Sequence, residues 1–372
     1  MGLTSISLRN VRKHTDIKIN FAGGLNYIVG GNGLGKTTIL ESIYYLCTTK
    51  SCCTKSDANV VKFNEDRFEI TGMFEELTKD NAAVIYSISN GKKQYQLNEK
   101  QVFRPSSIIG KFPVVMLSPS DHSITQGSPA ERRKFIDSVI SQSSRTYLDV
   151  LLEYQKILRQ RTALLSRIRE GNMVNGKNEL EVWNQKLIST GEQIINYRIK
   201  FLKDFKPYVS ESYKKIMEEK ESPDINYMYL GGFKDENIGG RFKELLDEFR
   251  EEETRRAANL IGPHRDEFVF EISSINLREF GSQGQHKTFQ TVLRFAEFFY
   301  IKDVANNTPI FLLDDVFGEL DAHRANKVSE YLSEIGGQAF ITLTDFGNFS
   351  FLKAGKGDSI IKLSEEGKIA YA

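Results

Sequence analysis

A glycine-rich run near the amino terminus has the residue types and spacing of a phosphate-binding loop. Residues 30–38 read Gly-Gly-Asn-Gly-Leu-Gly-Lys-Thr-Thr, which contains the pattern Gly-x-x-x-x-Gly-Lys-Thr. Glycines let backbone N–H groups approach phosphate oxygens closely, at the start of the helix that follows. Lys36 would neutralise the β- and γ-phosphates of ATP, and the Thr37 hydroxyl would bind Mg²⁺. The predicted nucleotide contacts are Gly30, Gly31, Asn32, Gly33, Leu34, Gly35, Lys36, Thr37 and Thr38.

Two adjacent carboxylates follow an apolar run late in the chain. Residues 310–313 are Ile-Phe-Leu-Leu, which indicates a buried central strand, and Asp314 and Asp315 come directly after it. This is a Walker B pattern, in which Asp314 would hold Mg²⁺ and Asp315 would act as the general base that orients the attacking water. The predicted metal ligands are therefore Thr37 and Asp314, and the predicted catalytic residues are Asp315 and Lys36. A strand-end aspartate pair that only makes caps and turns is the alternative, which the phosphate-binding loop disfavours.

A third segment, Ser-Gln-Gly-Gln at residues 282–285, lies between these two motifs. On its own it would suit any loop that caps a helix. ATP-binding cassette ATPases carry a Ser-x-Gly-Gln or Ser-x-Gly-Glu signature at this place in the order, where a helix N-terminus contacts the γ-phosphate held by another subunit. Ser282, Gly284 and Gln285 are therefore predicted to bind ATP across a dimer. Residues 316–321, Val-Phe-Gly-Glu-Leu-Asp, resemble the D-loop of the same superfamily.

The elements that must position these motifs indicate an α/β fold. Alternating apolar residues over 6–21 predict two antiparallel edge strands, and residues 26–29 predict the strand that leads into the phosphate-binding loop. Short β-type runs separated by turn residues predict a small antiparallel subdomain over 60–102. A further strand is predicted over 339–342. The predicted fold class is an ABC-type P-loop ATPase head with an antiparallel β subdomain and an inserted helical lobe.

The middle of the chain has a helical pattern. Apolar residues recur at spacings of four and three from Tyr147 to Ile168 and again from Leu180 to Phe201. We therefore expect a helical hairpin with short arms of about three heptads each and a glycine-bearing tip at 171–176. A second helical stretch is expected over 241–258. The predicted division is residues 1–125 for the N-terminal part of the head, 126–258 for a helical lobe with DNA and dimer contacts, and 259–372 for the C-terminal part of the head.

Composition and charge exclude some classes of protein. Of the 372 residues, 40% are hydrophobic and 27% charged, which is ordinary for a globular protein, and no apolar run approaches the ~20 residues of a membrane span. The amino terminus lacks a signal-peptide pattern, so we expect a cytoplasmic protein. The net charge is only +1, so DNA contact would need a local basic patch. Cys47, Cys52 and Cys53 are predicted to be reduced thiols, since their number is odd, no Cys-x-x-Cys pair is present and the adjacent pair is poorly placed for an ordinary disulfide. A zinc site is the alternative, which the lack of ligand spacing at any histidine disfavours.

The motifs together resemble the RecF family of bacterial recombination mediators, which belongs to the ABC-type and SMC-like ATPases. The phosphate-binding loop and the Walker B strand are shared by many ATPases. Residues 129–137, with Pro followed by Arg-Arg-x-Phe-x-Asp, and Gly-Pro-His-Arg-Asp at 262–266 are far more particular to RecF. The resemblance covers nearly the whole chain, in the segments 10–12, 32–37, 40–43, 118–121, 127–137, 262–266 and 312–321.

The resemblance implies a cassette head with a helical lobe, an ATP-driven homodimer and slow ATP hydrolysis. It further implies binding to duplex DNA near single-strand gaps in recombinational repair and replication-fork maintenance, with RecR and RecO helping to load RecA. Asp315 stands where Glu is usual, and this shorter base fits a slow, switch-like cycle. The resemblance also places Arg12 near the nucleotide, and an arginine that is merely exposed at the end of a strand is the alternative. It places residues 118–121 in the region of the Q-loop. Thr342 agrees with RecF at the position near which transporter ATPases carry a switch histidine.

Several predictions from the sequence leave alternatives open. Arg132, Arg133 and Lys134 are nominated as DNA contacts because they could neutralise phosphates without reading sequence, and a solvated helix face is the alternative. His264 and Arg265 would form a lid or a subunit contact, or else a structural loop. At the level of function, the alternatives are a scaffold that ATP stabilises for partner proteins and the ATPase subunit of a membrane transporter. The helical lobe and the absence of a switch histidine disfavour the transporter.

Overall fold

A computed structural model describes residues 2–76, 78–171, 176–217, 221–232, 237–318, 320–348, 352, 354–364 and 368–371. The chain forms two compact units. Met1–Asp121, Glu211–Glu219 and Gln290–Ala372 form one, here called the head unit. His122–Ser210 and Lys220–Phe289 form the other, here called the lobe unit.

The strands and helices of the described residues are numbered in chain order. The strands are β1 (Gly2–Val11), β2 (His14–Asn20), β3 (Leu25–Val29), β4 (Arg67–Glu75), β5 (Lys79–Ser87), β6 (Lys92–Leu97), β7 (Lys100–Gln101), β8 (Val114–Leu117), β9 (Pro223–Met228), β10 (Glu267–Ile272), β11 (Ile275–Asn276), β12 (Ile310–Leu313), β13 (Ala339–Leu343), β14 (Ser359–Leu363) and β15 (Ile369–Tyr371). The helices are α1 (Lys36–Thr48), α2 (His122–Gln126), α3 (Pro129–Ser143), α4 (Arg145–Arg169), α5 (Gly176–Met217), α6 (Ile238–Glu248), α7 (Arg250–Arg256), α8 (Leu277–Phe280), α9 (Gln283–Ala305) and α10 (Ala322–Ser333).

The first sheet of the head unit is antiparallel, with the strand order β2-β1-β4-β5-β6-β7. The two strands predicted over 6–21 and the antiparallel subdomain predicted over 60–102 are therefore parts of one continuous sheet. The prediction of two edge strands is wrong for β1, because β1 pairs with β2 on one side and with β4 on the other. Long-range pairing of this kind leaves no mark in the local alternation of apolar residues.

The second sheet of the head unit has the order β15-β14-β3-β13-β12-β8, and all its neighbours pair in parallel except β14 and β15. Strands β12 and β13 are buried along their whole length, which explains why β12 is entirely apolar and β13 is apolar except for Thr342. Because parallel strands end at the same edge, the loop after β3 and the aspartates after β12 come to one side of the sheet. The fold thus brings together motifs that are far apart in sequence.

Helix α1 begins at the phosphate-binding loop and packs against both sheets of the head unit. Its apolar residues Ile39, Leu40, Ile43 and Leu46 are fully buried in the core of the head unit. The approach to β4 is so close that a Cβ at Gly72 would lie 2.5 Å from Leu46 Cδ1. A glycine is needed there, and the contact fixes the helix that carries Lys36 and Thr37.

The predicted pair of long helices is α4, in the lobe unit, and α5, which belongs to the lobe unit as far as Ser210 and to the head unit after it. The predicted hairpin tip at 172–175 lies outside the described residues. Helix α5 runs on through Pro207 to Met217, well past the predicted end at Phe201, because Phe205, Val209, Tyr213 and Ile216 continue its buried face. The single helical stretch predicted over 241–258 is in fact two helices, α6 and α7, which are separated at Phe249.

The unit boundaries differ from the predicted division at 126 and 259. Residues 259–289 belong to the lobe unit, whereas the sequence assigned them to the C-terminal part of the head. The reason is that β10 pairs with β9 in a three-stranded sheet of order β11-β10-β9. Among the helices that the structure describes, none is long and apolar enough to cross a membrane.

Candidate nucleotide-binding site

The phosphate-binding loop joins the end of β3 to the start of α1. Gly31, Asn32 and Gly33 are exposed, while Lys36 is buried. Lys36 Nζ donates hydrogen bonds to the carbonyl oxygens of Gly30 at 2.7 Å and Gly31 at 3.0 Å, so the ammonium lies inside the curve of the loop. Burial lowers the pKa of Lys36, and the carboxylate of Asp315 is the largest opposing influence. The loop has the conformation and the charge of a phosphate cradle.

At Gly35 of this loop both the backbone conformation and the surrounding space exclude a side chain. Its φ is +88°, and a Cβ there would lie 2.4 Å from His14 Nε2. His14 is buried, and its Nε2 lies 3.1 Å from the Gly35 carbonyl oxygen. Burial lowers the pKa of His14, which favours the neutral ring. His14 therefore supports the loop from β2, a contact that could not be foreseen because residue 14 itself lies outside the recognised motifs.

The predicted metal ligands and the predicted general base are joined by hydrogen bonds. The hydroxyl groups of Thr37 and Thr342 both donate to Asp314 Oδ1, at 3.0 and 2.8 Å. The backbone N–H of Asp315 donates to Thr342 Oγ1 at 2.8 Å. We call Thr37, Asp314, Asp315 and Thr342 the aspartate cluster. The structure thus brings together three residues predicted from sequence and adds Thr342, whose signal is one polar residue inside an otherwise apolar strand.

The aspartate cluster fits the oxygen ligands that Mg²⁺ prefers. Asp314 is 7% exposed, and burial raises the pKa of its carboxyl group, against the hydrogen bonds from Thr342 and Thr37. A bound cation would favour the ionised carboxylate in this setting. Among the described residues, no group of three or more His, Cys, Asp or Glu could hold a metal by itself. This agrees with the usual Mg²⁺ site, in which one or two protein ligands are completed by phosphate oxygens and water.

Asp315 has an unusual backbone conformation. Its φ is +52°, and its side chain is exposed, beyond the end of β12. Aspartate and asparagine tolerate the left-handed region better than longer side chains because they can hydrogen-bond locally. The conformation therefore gives a physical reason for Asp rather than Glu at this position.

Arg12 lies at the turn between β1 and β2 and forms a bidentate ion pair with Glu41 of α1. Its Nε and Nη2 are 3.1 and 2.9 Å from the two carboxylate oxygens of Glu41. The hydrogen bonds that Arg12 donates to Glu41 raise the pKa of Arg12 against the effect of burial. Ser51 also donates to Glu41. Arg12 is thus tied to the helix of the phosphate-binding loop with about a third of its side chain exposed, at 31%, and its contact with nucleotide remains a prediction.

The signature segment begins α9 with reciprocal caps. The backbone N–H of Ser282 donates to Gln285 Oε1 at 2.9 Å, and the N–H of Gln285 donates to Ser282 Oγ at 3.2 Å. This is a capping box, so the helix-capping interpretation holds for these side chains. Ser282 is exposed in this geometry, so the N-terminus of α9 is accessible to an anion. Binding of ATP by Ser282, Gly284 and Gln285 remains a prediction.

Two smaller loop predictions concern the edge of the second sheet. Ser118, in the predicted Q-loop region, follows β8, whose last residue Leu117 accepts a hydrogen bond from the Asp314 N–H at 2.9 Å. In the predicted D-loop, Asp321 caps α10 by accepting from the Arg324 N–H at 3.0 Å. Residue 319 of that loop lies outside the described residues.

The nominated DNA contacts in α3 have different surroundings. Arg132 is buried, and its Nε and Nη2 lie 2.8 and 2.9 Å from the carboxylate oxygens of Glu267 in β10. Arg133 donates to the Asp266 carbonyl oxygen at 2.6 Å. Only Lys134 is exposed, at 81% of its side chain. The structure corrects the nomination by giving Arg132 a structural role, because its charge is already neutralised inside the lobe unit.

The Gly-Pro-His-Arg-Asp segment forms a structural loop in the lobe unit. His264 Nδ1 lies 2.8 Å from Tyr154 Oη, and its Nε2 lies 3.1 Å from the Asn259 carbonyl oxygen. The guanidinium of Arg265 donates to the same carbonyl. The side chain of Asp266 accepts hydrogen bonds from Tyr227 and from a backbone N–H. The structure therefore favours the structural-loop alternative for His264 and Arg265.

Comparisons with known proteins agree with this geometry. The RecF/RecN/SMC N terminal domain matches residues 2–366. The chain is 38% identical over 361 residues to the DNA replication and repair protein RecF of Chloroherpeton thalassium, covering 95% of this chain and 97% of that protein. It is 34% identical over 355 residues to the protein of the same name from Salinibacter ruber, covering 94% and 86%.

Solved structures show the same relationship. A structure of the recombination mediator protein RecF-ATP in the RecFOR pathway aligns with a TM-score of 0.89 and 29% identity, covering 100% of this chain and 97% of that one. The corresponding RecF-ATPrS structure aligns with a TM-score of 0.87 and 30% identity, covering 100% and 98%. The Smc head domain from Pyrococcus furiosus, with a TM-score of 0.56, 17% identity and coverage of 100% and 96%, shows a shared fold. The chain belongs to the RecF family of DNA replication and repair proteins, which has the ABC-type ATPase fold.

Proposed function

We propose that this chain is an ATP-dependent DNA-binding protein of recombinational repair, in which slow ATP hydrolysis resets a dimeric switch. The aspartate cluster beside Lys36 is the observation that carries the proposal. It places a hydroxyl, a buried carboxylate and a second, exposed carboxylate at the mouth of a phosphate-binding loop. ATP-bound RecF structures that align with this chain over 97–98% of their length support ATP as the nucleotide of the site.

The chemical steps follow from the positions of these side chains. Thr37 Oγ1 and Asp314 would hold Mg²⁺, which neutralises charge on the phosphates when it is bound. Lys36 would exchange its hydrogen bonds with the carbonyls of Gly30 and Gly31 for bonds with phosphate oxygens. Asp315 would accept a proton from the attacking water, with its main chain fixed by Thr342.

A second copy of the chain would complete the site. The capped start of α9 offers backbone N–H groups and a helix dipole, which suit the γ-phosphate held at Lys36 of the other copy. Closure of the dimer would then depend on ATP, and hydrolysis would remove the phosphate that both copies share. A ligand that binds only the closed form stabilises it by mass action.

The closed dimer would bind duplex DNA at single-strand gaps, in the cytoplasm, with RecR and RecO as partners in loading RecA. The family and the RecFOR pathway of the aligned structures support this assignment. Lys134, the exposed member of the nominated basic run, is the remaining candidate for a phosphate contact in α3.

The test uses an Asp315→Asn variant, because asparagine keeps the left-handed backbone conformation while it removes the base. Fluorescence anisotropy of gapped duplex DNA is measured at one salt concentration under Mg-ATP and under Mg-ADP. We expect tight binding with ATP, weak binding with ADP and no ATP turnover. A Lys36→Ala variant, which should bind neither nucleotide well, is the matched control.

Either of two results would contradict the switch. Equal DNA binding with both nucleotides would show that ATP does not gate the contact. Full repair function of Asp315→Asn in cells would favour the scaffold alternative, in which ATP stabilises a platform for partner proteins and hydrolysis is incidental.

A further inference from the structure

Two adjacent cysteines lie in the loop after α1, and the proposed cycle makes no use of them. Cys52 Sγ and Cys53 Sγ are 3.5 Å apart. Cys53 is exposed and Cys52 is half-buried, while Cys47 is 1% exposed in the core. The three thiols therefore differ sharply in access to solvent, and only the adjacent pair can react readily with a solute.

The pair is joined to Arg12 by a short chain of hydrogen bonds. The backbone N–H groups of Cys53 and Thr54 both donate to Ser51 Oγ at 3.0 Å. Ser51 Oγ in turn donates to Glu41, the carboxylate that holds Arg12. The backbone conformation of the cysteine pair therefore fixes the hydroxyl that orients the Glu41–Arg12 ion pair.

The electrostatic surroundings favour reaction at Cys53. A hydrogen bond from the Cys52 thiol lowers the pKa of Cys53, and the positive charge of Arg12 acts in the same direction. Burial raises the pKa of Cys47. Because the thiolate is the reactive form and Cys53 is the most exposed of the three, we expect peroxide to react first at Cys53.

We propose that Cys52 and Cys53 form a reversible, peroxide-sensitive dithiol whose oxidation weakens nucleotide binding through Ser51, Glu41 and Arg12. The second half of this inference rests on the proposed function, since it takes Arg12 to lie beside the bound nucleotide. The first half, ring formation between the two sulfurs, stands on the geometry of the pair alone.

The chemistry is a two-electron oxidation with a peroxide as the oxidant. The Cys53 thiolate attacks one oxygen of hydrogen peroxide, the O–O bond breaks, and a sulfenic acid and hydroxide form. The Cys52 sulfur then attacks the Cys53 sulfur, the S–O bond breaks, and the disulfide forms. The two thiol protons leave in the two water molecules produced, so the peroxide is reduced as the thiols are oxidised.

Closing this ring must move the backbone. Adjacent Cα atoms are about 3.8 Å apart, below the usual range of about 4.4–6.8 Å across a disulfide. The peptide unit between the cysteines must therefore twist, which pulls the Cys53 N–H away from Ser51. Strained disulfides are more easily reduced, so a dithiol reagent should reverse the change.

The sequence makes ring formation directly measurable. Trypsin cleaves after Lys50 and Lys55, so both cysteines fall in the peptide 51–55 and Cys47 falls in another. After treatment of the full chain with hydrogen peroxide, mass spectrometry should show that peptide 51–55 has lost two hydrogens. Cys53→Ser and Cys52→Ser variants cannot form the ring. If peroxide produces sulfinic acid or intermolecular disulfides in place of the ring, the proposal of a reversible dithiol is wrong.

The effect on the site is read with a fluorescent ATP analogue. We expect oxidised protein to bind it about tenfold more weakly, as loss of one charge-assisted contact predicts, with recovery after dithiothreitol. The Cys53→Ser variant should bind equally well before and after peroxide. Unchanged affinity of protein that contains the ring would overturn the coupling. Failure of the reduced protein to bind the analogue would instead overturn the proposed function. The mass measurement would still show whether the disulfide ring between Cys52 and Cys53 forms.

Discussion

Thr342 makes two hydrogen bonds that hold the aspartate cluster in place. Its hydroxyl donates to Asp314 and accepts from the N–H of Asp315, so one side chain positions the predicted metal ligand and the predicted base. The residue is fully buried. Water cannot replace these bonds in the described conformation, and their loss leaves polar groups unsatisfied.

A Thr342→Val variant tests this arrangement. Valine has nearly the same shape, so we expect the free energy of unfolding to fall by about 2 kcal/mol from the unsatisfied groups alone. We also expect ATP turnover to fall more than ATP affinity, because the phosphate-binding loop is unchanged. Urea denaturation and a phosphate-release assay measure the two effects. Thr342→Ser keeps the hydroxyl and should restore both, whereas equal behaviour of the valine and serine variants would refute the assigned contacts.

At the level of elements, the loop between β3 and α1 requires glycine at residue 35, where both the backbone conformation and the space exclude a side chain. Gly35→Ala would force a Cβ to within 2.4 Å of His14 Nε2 at a φ of +88°. We expect a loss of stability of about 2 kcal/mol or more from strain, together with weaker nucleotide binding. Gly31→Ala is the matched control for stability, since its nearest neighbour would be Leu34 Cδ1 at 3.8 Å. Equal thermal stability of the two variants would contradict the loop geometry.

Helix α3 and strand β10 are joined by the Arg132–Glu267 ion pair. Arg132 is 4% exposed and Glu267 is 27% exposed, so water reaches the carboxylate in part, and Arg132→Ala should lower the free energy of unfolding by about 2 kcal/mol. Lys134→Ala, on the same helix but exposed, should change it by less than about 0.5 kcal/mol. Chemical denaturation compares the two. If Arg132→Ala keeps its stability and loses only affinity for DNA, Arg132 is a DNA contact after all.

At the scale of the whole molecule, the partly buried His264 should make stability depend on pH. The Asn259 carbonyl can only accept, so His264 carries its proton on Nε2, and Nδ1 accepts from Tyr154. Burial lowers the pKa of His264 to about 4, from an ordinary value of 6.5. The unfolded chain therefore binds more protons than the folded chain between these values.

The sign of the effect follows from that difference. The contribution of His264 is complete above pH 6.5 and is lost as the pH falls toward 4, by up to about 1.4 kcal/mol for each pH unit. Denaturation of the wild type and of His264→Gln at pH 7 and pH 5 measures it. The variant should lose less stability than the wild type over this interval. Parallel losses in the two proteins would mean that His264 is protonated in the folded chain.

The segments most particular to the RecF family meet inside the lobe unit. Residues 129–137 and 262–266 are far apart in sequence, yet Arg133 bonds to the backbone of Asp266. Arg198 of α5 pairs with Asp137 at 2.9 Å and lies 3.7 Å from Asp266. These motifs therefore build a buried polar network that ties α3, α5 and the loop before β10 together.

The nucleotide site was predictable because its chemistry is local. Nine consecutive residues supply the backbone N–H groups, the ammonium and the hydroxyl, and the two aspartates follow their strand directly. The buried strands and the helix α1 were predictable for the same reason, since the spacing of apolar residues and the apolar content of a run can both be read from a few consecutive residues. The sequence alone thus determined the fold class and nominated the main members of the candidate site.

Only the tertiary structure decided which distant residues are partners. Arg132 reads as a basic surface residue, yet packing places it beside Glu267, 135 positions away. Thr342 and Glu41 acquire their roles only when β13 lies next to β12 and when α1 packs beside the turn after β1. The extent of the lobe unit likewise depends on pairing between β9 and β10. Burial and long-range pairing arise from the packing of whole elements, so no local pattern in the sequence could reveal them.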